Sequence, residues 1–76
     1  MLRLEGIRRN GNEISCDALL EDCNERLHLV LDLREREFRT FSMPKGYEWC
    51  STHIAAARRF LLNTEPLPDK KLFYWG

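Results

Sequence analysis

The sequence predicts an α+β fold, an antiparallel four-stranded β-meander with one C-terminal helix packed on one face. Three observations predict it. Leu27, Leu29, Leu31 and Leu33 recur at strict period two, the spacing of a half-buried strand. Asn10-Gly11 separates two alternating segments, which is a hairpin signal. Cys50, Ile54, Ala57 and Leu61 recur at helical spacing and give the stretch from Trp49 to Leu62 one apolar face.

The first predicted strand runs from Leu2 to Arg8 and the second from Ile14 to Leu20, where Ile14, Cys16, Ala18 and Leu20 alternate with Ser15, Asp17 and Leu19. A one-residue slip in pairing moves every side chain to the other face, so the apolar pattern decides the register. A two-residue Asn10-Gly11 loop would set Glu5 opposite Cys16 and mix polar with apolar residues. A three-residue loop, Arg9-Asn10-Gly11, with Gly11 left-handed, sets Leu2 opposite Ala18, Leu4 opposite Cys16 and Gly6 opposite Ile14, and it is the pairing expected.

Asp22-Cys23-Asn24-Glu25 reads as the next turn, which would place Leu20 opposite Leu27, Glu21 opposite Arg26 and Leu19 opposite His28. Arg34-Glu35-Arg36-Glu37 makes a charged hairpin tip. A fourth strand, Phe38 to Met43, pairs Leu31 with Phe41 and Leu29 with Met43. Pro44 and Gly46 end the sheet, because proline cannot donate to a ladder. Ser51 is the expected N-cap of the helix, an earlier start being the alternative, with His53 and Phe60 at the edge of its apolar face. Asn63, Pro66 and Pro68 stop it. Leu72-Phe73-Tyr74-Trp75 is too aromatic for a solvated tail, and it is expected to return to the sheet edge or the helix, as a short fifth strand in the first case.

Seventy-six residues make a single domain, 1–76. A chain this short buries only about 60% of its unfolded surface, so one helix on one sheet face is the core it can build. Twelve basic residues balance twelve acidic ones. That argues against a general nucleic-acid binder, which carries a basic excess. The N-terminus lacks a charged segment followed by an apolar stretch, and no apolar run approaches the ~20 residues of a membrane helix. A cytoplasmic protein without a membrane partner is expected. Three cysteines cannot pair completely within one chain, and free thiols are expected.

Chemistry-bearing constellations are sparse. Cys50 and His53, three apart on a helix, could form half a metal site or a thiol–imidazole pair, but no second Cys/His pair has the spacing of a zinc site. A core cysteine and a boundary histidine account for them. Cys16 should be buried and Cys23 exposed. His28 should lie on the outer sheet face near a carboxylate such as Asp17 or Asp32, and without a nucleophile or pocket that pair is not a site. There is no phosphate-binding loop, dinucleotide fingerprint or nucleophile elbow. No catalytic residue, metal ligand or cofactor is therefore expected, and an enzyme is not the favoured class.

The outer sheet face carries the functional expectation. The registers above put Ile7, Leu19, Val30 and Phe38 there, among Arg3, Asp17, His28 and Asp32. The one helix cannot cover that face, and a contiguous exposed apolar patch marks an interface. Ile7, Leu19, His28, Val30 and Phe38 are the candidate interface residues. The reading is a protein-interaction or accessory module, with a protein partner or self-association as a homodimer. The alternative is a small nucleic-acid-binding domain that uses arginines, for example Arg8 and Arg9 beside Arg58 and Arg59, with Phe38, Tyr47, Tyr74 or Trp75 as stacking groups.

Asn10-Gly11 leading into Ile14-Ser15-Cys16, His53-Ile54 in the helix, and Leu67-Pro68 before Tyr74-Trp75 together resemble a group of small uncharacterised bacterial proteins. The resemblance spans most of the chain and implies a free-standing bacterial protein. The group has no assigned activity, so it implies no functional residue.

Overall fold

The computed structural model describes residues 1–20, 23–39 and 41–74. In chain order the elements are β1 (Leu2–Asn10), β2 (Glu13–Leu20), β3 (Arg26–Asp32), β4 (Glu37–Phe38), a 3₁₀ turn (Glu48–Cys50), α1 (Ser51–Asn63) and β5 (Lys71–Phe73). The strands form one antiparallel sheet in the order β4-β3-β2-β1-β5. The predicted α+β meander with one C-terminal helix is the observed fold, and the tail supplies a fifth strand beside β1. Trp75, the predicted Glu21 partner of Arg26 and Asp22 lie outside the described residues.

The registers differ from expectation, for reasons that lie in two glycines. Asn10 pairs with Glu13, so the first turn is Gly11-Asn12, one residue later than the Asn-Gly signal suggested. Gly11 has φ +64° while Asn12 stays outside the positive-φ region. That is the pattern of a type II′ turn, whose twist suits a hairpin. Farther along, Glu5 pairs with Asp17 and Arg8 with Ser15. Gly6 and Ile7 therefore share the single place opposite Cys16, and Gly6 has φ +60°. A glycine in the left-handed region at the first position of a bulge absorbs the extra residue without a Cβ penalty.

The bulge inverts the parity of β1. Leu2 and Leu4 point inward before it; Ile7 points inward after it and is 5% exposed. Strict alternation had placed Ile7 on the outer face, and the bulge is what moves it into the core. Beside it, the Ile7 N–H donates to the Asp69 carbonyl at 3.0 Å, which ties the segment before β5 to the bulge.

Between β2 and β3 the pairing is Ala18 with Leu27, Cys16 with Leu29 and Ile14 with Leu31. This is a slip of two residues from the expected register, so every side chain keeps its face. Between β3 and β4 the shift is three: Leu31 pairs with Phe38, not Phe41. Phe38 thereby moves from the predicted outer face to the inner one, where it packs half-buried on the core and meets the Phe41 ring edge-on at 6.0 Å. The predicted strand to Met43 stops at Phe38. Phe41 and Met43 still pack against the core, from an irregular segment.

Leu2, Leu4, Ile14, Cys16, Ala18, Leu20, Leu29 and Leu31 from the sheet join Cys50, Ile54, Ala57 and Leu61 in one buried cluster. The helical spacing of the last four thus faces the sheet as predicted. Burying each large aliphatic side chain contributes about 1.5–3 kcal/mol. The N-cap of α1 is Cys50, without a side-chain capping bond; Ser51, the expected cap, begins the α-helix proper because the 3₁₀ turn already leads the chain in. At the other end the Asn63 amide donates to the Arg59 carbonyl at 2.8 Å. The Arg58 guanidinium donates to the Arg36 carbonyl at 2.9 Å, which pins the β3–β4 tip to the helix.

Candidate interaction surface

The outward-facing positions of β1, β2 and β3 form four rungs. Arg3, Leu19 and Arg26 make the first; Glu5, Asp17 and His28 the second; Arg8, Ser15 and Val30 the third; Asn10, Glu13 and Asp32 the fourth. Leu72 of β5 extends the first rung and Glu37 of β4 the fourth. Gly6 and Gly11 set the β1 side of these rungs, because they fix which parity of β1 looks outward.

The second rung sets two carboxylates, Glu5 and Asp17, directly opposite one another. Like charges so placed repel. Three basic groups offset the repulsion. Arg26 Nη1 lies 3.4 Å from Glu5 Oε1 and 3.5 Å from Asp17 Oδ2. Arg3 Nε donates to Glu5 Oε2 at 3.0 Å, and His28 Nδ1 lies 2.9 Å from Asp17 Oδ1. At the opposite side of the face Arg39 pairs with Glu13. All these groups are substantially exposed, so each pair contributes about 0–1 kcal/mol and weakens with salt.

Of the five candidate interface residues, Leu19, His28 and Val30 lie on this face. Ile7 and Phe38 do not; they belong to the core side. The two half-buried aliphatics that remain, Leu19 and Val30, are separated by the charged second rung. The face is therefore a charge lattice with isolated apolar points, and not the contiguous apolar patch the alternation suggested. Glu5 and Arg26, the residues that link the lattice, escaped notice because the predicted register kept Glu5 away from Asp17. The expected carboxylate beside His28 is Asp17.

The exposed large hydrophobic residues lie elsewhere: Trp49 at 63% and Tyr74 at 77%. Trp49 donates from Nε1 to the Gly46 carbonyl at 3.1 Å and meets the His53 ring edge-on at 6.1 Å. Lys71 lies over the Phe60 and Phe73 rings at 5.2 and 5.7 Å, which fastens β5 to the helix.

All three cysteines are free thiols, and two of them are buried. Cys16 is buried and its thiol is pushed up to about 11, chiefly by burial and further by the neighbouring Asp17 carboxylate. Burial likewise raises the Cys50 thiol; the N-terminal ammonium opposes that shift and Cys23 adds to it. A thiol raised in this way stays protonated at neutral pH. Cys23, expected to be exposed, packs half-buried against the core. Among the described residues no three His, Cys, Asp or Glu side chains gather as a metal site, and no helix is long and apolar enough to cross a membrane. Comparison of the chain with protein-family models, with curated proteins and with solved structures finds no match.

Proposed function

We propose that the chain is a protein-interaction or accessory module that presents the outer face of its sheet to a protein partner, with a second copy of itself as the simplest case. The carrying observation is that the four outward rungs have no element over them among the described residues, while Leu19 and Val30 stay half-buried within a lattice of both charge signs. Mixed charges around isolated apolar points suit a reversible, salt-sensitive contact better than a permanent dry one. Sedimentation velocity on wild type and Val30→Glu tests the self-association form. A concentration-dependent dimer in wild type, lost in Val30→Glu and weakened by salt, is expected. Monomers in both, across the accessible concentration range, remove it.

A second reading has its own observation. Tyr74 and Trp49 are exposed aromatics, and Arg8, Arg34 and Arg59 have no carboxylate partner among the described residues. Stacking groups with unpaired arginines suit a single-stranded nucleic acid. Phe38 and Tyr47, the other stacking candidates, are half-buried against the core instead. Anisotropy of a labelled single-stranded oligonucleotide, measured across a salt series, separates the readings. Absent or salt-independent binding eliminates this one.

A further inference from the structure

The helix ends before the sheet does. Its last turn, Leu61–Asn63, and the following residues 64–67 stand beside the far end of β1 and β2 and leave a groove of about 630 Å³ between them. That volume lies within the range of small-molecule sites, roughly 300–1,000 Å³. The lining is mixed: Arg9, Asn63, Thr64 and Glu65 stand beside Ile7, Ile14, Leu33, Leu61 and Leu67, and because Ile7, Ile14 and Leu61 are buried in the core, Leu33 and Leu67 offer the accessible apolar surface. Leu33 is held there by its N–H, which donates to the Asn12 carbonyl at 2.9 Å and joins the two hairpin tips.

The charge at the groove is one-sided. Arg8 and Arg9 line the β1 wall. Arg9 pairs with Ile14, so it occupies an inward position of the sheet, yet it is exposed because the helix does not reach it. Its Nε donates to the Gly11 carbonyl at 3.2 Å, and neither arginine has a carboxylate partner among the described residues. By contrast Arg3, Arg26 and Arg39 on the outer face are all ion-paired. Across the groove, the C-terminal carbonyls of α1 and Glu65 present negative charge. An anionic head is therefore favoured at one wall only, and an apolar body over the rest.

We infer that this groove binds a small amphipathic carboxylate, with its head at Arg9 and its aliphatic chain over Leu33 and Leu67. This site is separate from the outer sheet face and does not depend on it. Amide chemical-shift titration of the ¹⁵N-labelled chain with octanoate tests it, with 1-octanol and octylamine as controls. Saturable shifts at Ile7, Ile14, Leu61 and Leu67 are expected, with octanoate at least tenfold tighter than either control. Arg9→Glu should lose that preference while its remaining spectrum stays dispersed. Leu67→Arg, a second variant at a half-buried loop position, should block the groove for all three probes. Equal binding of octanol, shifts confined to the outer face, or no shifts at millimolar octanoate would each overturn the assignment.

Discussion

The same three strands build two unlike faces. Inward, Leu2–Leu20, Leu4–Ala18–Leu27, Cys16–Leu29 and Ile14–Leu31 make rungs of aliphatic or thiol side chains, most of them less than 6% exposed. Outward, the rungs are charged, solvated and tied by ion pairs. The first face derives its energy from area removed from water, the second from Coulomb attraction in a high dielectric. The difference teaches that the two faces are separable: the inner face can hold the fold while the outer one is changed.

Substitutions can break or sharpen that contrast. Leu29→Ala, at a position 1% exposed, should cost about 2–5 kcal/mol by chemical denaturation, because a packed core collapses only partly onto a cavity. A loss below 1 kcal/mol would mean the inner face is not a packed core. Next is an alkaline effect of the order of 2 kcal/mol, from the Cys16 thiol raised to about 11. An unfolded thiol ionises near 9 while the folded one stays neutral, so the stabilising difference is complete below pH 9 and is lost as the pH rises to 11. Denaturation midpoints of wild type should fall more steeply over that window than those of Cys16→Ala, and parallel profiles would refute the assignment.

Gly6→Ala probes the place where the faces exchange parity. Space at the Cβ position is open, so the cost is that of the left-handed backbone alone, about 1–2 kcal/mol. Unchanged stability would show that the bulge does not require glycine. The smallest effect belongs to the outer face. Arg26→Ala should cost no more than about 1 kcal/mol, and the difference should vanish in molar salt. A salt-independent loss would indicate packing by the arginine stem in place of ion pairing.

The inner face was legible in the sequence because period-two leucines and a helical apolar stripe are both strong signals. The slip between β2 and β3 did no harm, since a shift of two residues preserves the faces. The outer face was less legible. Its composition depends on parity, and parity on β1 depends on one bulge at Gly6. A glycine inside a strand is a signal of a kink or bulge, but that signal alone does not say that Ile7 turns inward. Phe38 was misplaced for a related reason. The β3–β4 turn closes tightly enough, with Arg36 at φ +60°, to pair Phe38 with Leu31, and a hydrophobic residue at either end of a short strand satisfies the pattern equally well. The groove beside α1 had no local signal, because it arises from the helix being shorter than the strands beneath it.

The position of β5 bears on how the chain is made. Leu2 of β1 pairs with Phe73, so the outermost ladder joins residues seventy-one apart in sequence. During synthesis β1 finds β2 almost at once, through a two-residue turn. Its other edge, however, stays without this neighbour until Lys71–Phe73 have emerged. Throughout that interval the nascent protein displays an open strand edge beside Leu2 and Leu4, which are among its most apolar positions. Nonlocal pairings of this span are slow to close because loop-closure entropy must be overcome first. A chain lacking Lys71–Phe73 would thus leave a template for strand addition, and β5 is the cover that retires it.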